Sequence, residues 1–210
     1  METEHELLHN WTLFLHVESQ SDTYNGAYKK AVTFNTCEGW ARLFNNIPDA
    51  GTLTSSTHEI RCHDEKVIAY SIFRDDIKPE WEDKRNETGC EWECRQELER
   101  GYVTEMWKLI VASMCGGELD ILGSRVVNKN TSFQNVSKVE IWLGEEHDPA
   151  EVYGKLQEIL SSLKFPSCIV PNFQLVHHDI RNKETSDFNE KRRRKKNRYE
   201  KYKVKDFYNF

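Results

Sequence analysis

The sequence predicts a single α+β domain. Several short runs alternate apolar and polar residues with period two, three longer runs repeat apolar residues at helical spacing, and the connections between them are short and rich in turn residues. With 210 residues, 38% hydrophobic and 11% aromatic, the chain can bury one sizeable core, and no internal repeat is present.

Trp11 to Val17 alternates as a half-buried strand would, Ser19 to Gly26 reads as a polar loop, and Ala27 to Phe34 as the returning strand. Asn35-Thr36-Cys37-Glu38 has the composition of a helix cap ahead of Trp40, Leu43, Phe44 and Ile47, and Pro48 to Gly51 closes that helix. Thr52 to Glu65 is polar and irregular, and Lys66 to Phe73 is the next strand. After a loop carrying Pro79-Glu80-Trp81-Glu82-Asp83, a short strand sets Cys90, Trp92 and Cys94 on one face and Glu91, Glu93 and Arg95 on the other. Val103 to Cys115 has the period of an amphipathic helix, ended by Gly116-Gly117. Ser124 to Val127 and Val136 to Leu143 read as a hairpin joined through Asn128-Lys129-Asn130-Thr131. Pro149 opens a helix reaching about Leu163, and Cys168 to Val176 is the last strand.

Formal charge is −6, unevenly placed. Lys191 to Asp206 holds ten Lys/Arg against two Asp/Glu, a local +8 that leaves −14 on the remainder. An acidic body with a basic tail suits contact with phosphates or an acidic partner, or a solvated tail. Mean hydropathy is −0.76, no apolar run approaches the ~20 residues that span a bilayer, and the first residues lack the basic start of a signal peptide. Six cysteines without framework spacing read as reduced thiols. A soluble protein of the cytoplasm, or also the nucleus, is expected.

Cys90 and Cys94 lack a second Cys/His pair at zinc-site spacing, and His177-His178-Asp179 has no Gly-framed serine or activated cysteine beside it. No metal, cofactor or catalytic residue is expected.

Trp81 followed by Glu82 sets an aromatic ring beside carboxylates. A ring face attracts a flat cation and a carboxylate accepts from a flat edge of N–H donors, so the pair describes a slot for a positively charged purine such as 7-methylguanine. Residue types alone also allow a tryptophan that anchors its loop beside a solvated carboxylate.

The runs Asn10-Trp11-Thr12-Leu13-Phe14, Phe34-Asn35-Thr36-Cys37-Glu38, Ile77 to Asp83, Gly89-Cys90-Glu91-Trp92, Val126-Val127-Asn128 and Val139-Glu140-Ile141-Trp142, with the spaced tryptophans Trp11, Trp40, Trp81, Trp92, Trp107 and Trp142, resemble the cap-binding translation initiation factor 4E family from about residue 5 to 180. The resemblance implies one curved antiparallel sheet of about eight strands with three helices on its convex face. It also implies an N-terminal arm at 1–9, a cap-binding domain at 10–180 and a basic, aromatic tail at 181–210.

The resemblance further implies that Tyr24 and Trp81 sandwich the 7-methylguanosine cap of mRNA, that Glu82 reads the guanine edge and that Trp142 packs against the methyl group. Tyr24 stands where the family usually has tryptophan, a departure that weakens cation attraction. Glu91 and Asn130 stand where basic residues are common near the triphosphate. Lys138 and Lys129 are the expected phosphate contacts, supplemented by Lys183, Arg194 and Arg198 if the tail folds over the pocket; import signal and protein docking are the tail's other readings. A scaffold protein of the initiation factor 4G type or a 4E-binding repressor is implied on the convex face around His5, Leu7, Cys37, Trp107, Leu109 and Val111, with a monomer before partner binding and no membrane. An interaction scaffold with little cap affinity is the alternative.

Overall fold

Chain order alternates strands and helices much as the periodicities require. In the computed structural model, which describes residues 4–18, 28–55, 58–131, 134–164 and 170–178, the elements are β1 (Glu6–Val17), β2 (Tyr28–Thr36), α1 (Cys37–Asn46), α2 (Ala50–Leu53), β3 (Arg61–Cys62), β4 (Glu65–Arg74), β5 (Cys90–Gln96), α3 (Arg100–Cys115), β6 (Gly123–Asn128), β7 (Ser137–Leu143), α4 (Pro149–Ser161) and β8 (Phe173–His177). All strand pairs are antiparallel, in the order β2-β1-β4-β6-β7-β5-β8, with β3 added to β4. The sheet is curved and unclosed, and three helices of ten or more residues accompany it, as expected for the α+β class. Register shifts within β1 bend that strand, because an extra residue in a ladder raises the local twist.

Local chemistry sets the helix starts. Thr36 Oγ1 accepts from the Gly39 amide at 3.0 Å, and Asp148 Oδ1 accepts from Ala150 at 2.9 Å ahead of Pro149. Three expectations shift. The arm expected at 1–9 is part of the sheet from Glu6 onward. The stretch from Thr52 to Glu65, expected to be irregular, contains the end of the single-turn α2 and the β3–β4 hairpin. That hairpin turns on His63 and Asp64, at φ 50° and 66°, so two residues without the usual glycine adopt the left-handed turn. Of the final strand, Phe173–His177 is formed; Cys168 lies outside the described residues.

One sheet face carries the main core. α3 packs on β1 and β6, α2 on β4 and β6, and α4 on β5. Trp11, Leu13, Tyr70, Ile72, Val126, Ile141 and Trp107 are buried there, with the Trp107 ring 5.9 Å from Tyr70 and 5.6 Å from Phe44. Each such side chain contributes about 1.5–3 kcal/mol of hydrophobic stabilisation. The opposite face, here the open face, carries a separate small cluster of Phe73, Ile77, Leu122 and Trp142, with Phe14 and Trp81 against it.

Candidate functional site

Register places the open-face side chains in rows. One row runs Thr12, Phe73, Gly123, Trp142, Glu91, Val176; the next runs Phe14, Ser71, Arg125, Glu140, Glu93, Gln174; a third contains His16, Ala69, Val127, Lys138 and Arg95. Gly123 is required in the first row. A Cβ there would lie 2.5 Å from the Phe73 ring, and its absence lets Phe73 and Trp142 meet edge to face across the strand at 5.4 Å and 79°.

Trp81 is half-buried against this cluster, on a loop held by its own polar groups. Asp83 accepts from the amides of Lys78 and Arg85, both at 3.0 Å. The fully buried Asn86 donates its side-chain amide to the carbonyls of Lys78 at 2.7 Å and Glu80 at 2.8 Å, which clips the chain on both sides of Pro79. His178 Nδ1 donates to the Asn86 carbonyl at 2.5 Å and the His178 amide to the Gly89 carbonyl at 3.1 Å, joining the loop to the end of β8. At Gly89 a Cβ would stand 2.0 Å from the Leu143 carbonyl oxygen, so only glycine lets the loop enter β5 this close to β7. The loop therefore presents Trp81 in a fixed pose, and Glu82, next in the chain, is exposed.

Behind the ring, Trp142 is 1% exposed and donates Nε1–H to Glu140 Oε2 at 3.0 Å. It forms the floor behind Trp81, and the direct methyl contact expected of it is not open to a ligand in this structure.

Lys138 requires the larger correction. Its ammonium, 2.6 Å from Glu140 Oε1, 2.6 Å from Glu93 Oε2 and 3.3 Å from Glu91 Oε1, is enclosed by carboxylates, where a cation free for phosphate was expected. Arg125 is likewise engaged, 3.2 Å from Glu140 Oε2 and 5.7 Å above the rings of Tyr28 and Trp142. Burial alone would raise the Glu140 pKa, but Arg125 and Lys138 outweigh it and hold it low; desolvation would lower Lys138, but Glu140 and Glu91 raise it. The three carboxylates lie within 4.8 Å of one another, close enough for a metal, but the lysine ammonium already supplies the counter-charge. His178 Nε2 faces Glu91 Oε2 at 3.4 Å.

Lys129 follows the end of β6, its pKa lowered by desolvation and then by the Lys138 ammonium. Asn130 donates to the Thr54 carbonyl at 2.7 Å, a structural bond in place of a phosphate cation. Tyr24, Lys183, Arg194 and Arg198 lie outside the described residues.

On the helix side, Trp107 and Val111 are core residues, 1% and 0% exposed, so their side chains cannot form the partner surface expected of them. His5, Leu7, Cys37 and Leu109 remain partly or fully exposed, with His5 bonded to Glu38 at 2.7 Å and 3.0 Å. Trp40 on α1 is a partly exposed aromatic on this side, its ring tilted by 36° against Phe44 at 4.9 Å. Its helical spacing was visible in sequence, but that spacing alone reads as core. Asn86 was also missed; its signal is the Asp83-x-x-Asn86 pattern of side chains that bond local backbone.

The family model for eukaryotic initiation factor 4E matches residues 6–192. Initiation factor 4E-1 of Schizosaccharomyces pombe is 32% identical over 59% of this chain and 53% of its own length; the chain thus spans about half of that relative. The Xenopus laevis factor 4E is 26% identical over 87% of this chain and 82% of its own. Among solved structures, C. elegans factor 4E-3 in complex with the 4E-binding protein Mextli and a cap analog aligns with TM-score 0.66 at 22% identity, covering 88% of this chain and 96% of that one. Ascaris suum factor 4E-3 with an m2,2,7G cap aligns with TM-score 0.62 at 20% identity, covering 82% and 91%. With its family match spanning most of the chain and its fold shared with these structures, the protein belongs to the eukaryotic initiation factor 4E family.

Proposed function

We propose that this protein binds the 7-methylguanosine cap of mRNA, in translation initiation or its regulation. The observation that carries the reading is the Trp81 loop, braced by Asp83 and Asn86 on the open face, with the exposed Glu82 next in the chain. Trp81 stacks on the methylated base and Tyr24, from the segment preceding β2, supplies the second ring. Stacking is worth ~1–3 kcal/mol per base, and the cation–π term adds ~0.5–2 kcal/mol. Glu82 accepts from the guanine N1–H and amino group, a charge-assisted pair about twice as strong as a neutral one. Trp142 backs the slot. No bond is made or broken.

Capped mRNA is the ligand, and the helix side is the surface for a scaffold protein of the initiation factor 4G type or a 4E-binding repressor, with Trp40 at its centre. The complexes of the C. elegans and Ascaris suum factors support both partner classes. The cytoplasm is the compartment of this activity, with the nucleus as a second site if the basic tail serves import.

Tryptophan fluorescence titrations with 7-methylguanosine, its 5′-triphosphate and unmethylated guanosine, alongside retention on cap resin, test the reading. Quenching by the methylated ligands, lost in Trp81→Ala and Glu82→Ala with unchanged circular dichroism, is expected. Absence of quenching and retention, or retention unchanged in either variant, refutes it. The engagement of Lys138 favours a second reading, an interaction scaffold with little cap affinity. Partner binding without response to any methylated ligand would establish that one.

A further inference from the structure

We infer that Arg95, with Lys129, forms a phosphate subsite two rows from the base platform, and that it receives the distal phosphates of a capped ligand. The inference rests on the cap reading above and deepens it, since Lys138, the cation expected in that role, is held by carboxylates.

Arg95 stands directly opposite Lys138 in the β5–β7 register and shares the third open-face row with His16, Ala69 and Val127. Its side chain is exposed. Four residues separate Trp142 from Lys138 on β7 and Glu91 from Arg95 on β5, so this row lies about 13 Å along the strands from the base platform. Trp142 is one residue from the end of β7 and Glu91 one from the start of β5, so the two strands extend from the platform only toward Arg95. A base on Trp81 stops short of that row, and the phosphate chain leaving it is the part of the ligand that reaches it.

Lys129 comes to the same place from β6. Its amide donates to the Val136 carbonyl at 2.9 Å, which extends the β6–β7 ladder by one pair beyond Asn128 and Ser137. Period-two alternation then sets Lys129 on the same face as Val127. The residues on either side of it are pinned: Asn128 donates to the Leu53 carbonyl at 2.8 Å, Asn130 to the Thr54 carbonyl at 2.7 Å, and the Asn130 amide to Asn128 Oδ1 at 2.9 Å. The lysine is exposed on a fixed stretch of backbone.

Two titratable groups report the sign of the field here. After desolvation, Lys138 lowers the Lys129 pKa more than Glu140 raises it, and Arg125 and Arg95 lower it further. After desolvation, Arg125 and Lys129 each lower the His16 pKa more than Glu140 raises it. Glu93 and Glu140 lie one row nearer the base, where Lys138 stands 2.6 Å from each and Arg125 3.2 Å from Glu140. A phosphate beside Arg95 and Lys129 relieves the repulsion among these cations, and the guanidinium offers it a bidentate edge.

The test uses the full chain, titrated with 7-methylguanosine, its 5′-monophosphate and its 5′-triphosphate at 50 and 300 mM salt. In the unmodified protein the triphosphate should bind at least tenfold tighter than the nucleoside, and the advantage should shrink as salt rises, through counter-ion release. Arg95→Gln should weaken the triphosphate at least fivefold and lower its salt slope by about one, with the nucleoside and monophosphate within twofold. Lys129→Gln should show the same triphosphate loss. Arg95→Lys, which keeps the charge, should stay within threefold of the unmodified protein. Triphosphate affinity unchanged in Arg95→Gln, or a loss shared equally by the nucleoside and monophosphate, overturns the inference and leaves the cap reading intact. Failure of all three ligands to bind the unmodified protein removes the cap reading and the inference with it.

Discussion

Replacing Asn86 with alanine tests whether the Trp81 loop is preorganised by a single buried amide. The substitution removes two hydrogen bonds, to the Lys78 carbonyl at 2.7 Å and the Glu80 carbonyl at 2.8 Å, from a side chain with no exposed surface. Each bond is worth about 1 kcal/mol net, and a carbonyl left unpaired away from water costs about 1–3 kcal/mol, so the sum is about 2–4 kcal/mol once partial rehydration of the two carbonyls is allowed. The main-chain contacts of residue 86, with the Asp83 carbonyl at 2.8 Å and with His178 at 2.5 Å, survive in alanine, which confines the damage to the loop. Urea unfolding should show the loss, and hydrogen exchange should show the Lys78 and Arg85 amides opening faster than those of the β6–β7 ladder. Cap-dependent quenching should weaken at least tenfold. Asn86→Asp, which keeps the volume but points an acceptor at two carbonyls, should be at least as damaging. A loss below about 0.5 kcal/mol with unchanged exchange would refute the preorganised loop, because an exposed or redundant amide costs no more than that.

Gly89→Ala drives a Cβ to 2.0 Å from the Leu143 carbonyl oxygen, and urea unfolding should record a loss of about 3 kcal/mol; a neutral effect would mean β5 and β7 can separate there. Lys138→Met removes the ammonium that Glu91, Glu93 and Glu140 share, leaving Arg125 on Glu140, and should cost about 3–5 kcal/mol at pH 7, partly regained near pH 5 as the cluster takes up a proton. The same midpoint at both pH values would contradict the cluster. Burial, then Arg125 and Lys129, hold His16 down at about 4. The unfolded chain binds that proton below about 6.5 and the native state only near 4, so stability falls as pH drops through this window, by up to about 3 kcal/mol, and is unaffected above it. His16→Gln should flatten that interval of the stability–pH curve.

Much of the fold is written in local pattern. Leu13, Leu15 and Val17 alternate with Thr12, Phe14 and His16, and the two sets do face opposite sides of the sheet; Cys90 and Cys94 enter the main core while Glu91 and Glu93 look onto the open face. Period-two alternation is a property of the extended backbone itself, so it survives into the fold unaltered. Apolar character is a poorer guide to surfaces. Trp40 and Trp107 both sit at helical spacing, yet one is half-exposed and the other buried, because depth depends on which helix crosses the sheet. The β3–β4 hairpin escaped notice because His63 and Asp64 adopt the conformation usually marked by Asn-Gly.

By itself the sequence determined the α+β class, the order of its main elements, and the adjacency of Trp81 and Glu82 on which the proposed slot for a flat cationic base rests. Each of these depends on neighbours in the chain or on residue type alone. Only the tertiary structure decided what became of Lys138. In the sequence it is a lone cation two residues before Glu140; in the fold, strands β5 and β7 pair in register and bring Glu91 and Glu93, some 45 residues away, onto the same face. Coulomb energy depends on distances that the chain fixes only after the strands have paired, so a residue that reads as a phosphate ligand becomes the counter-ion of an acidic cluster.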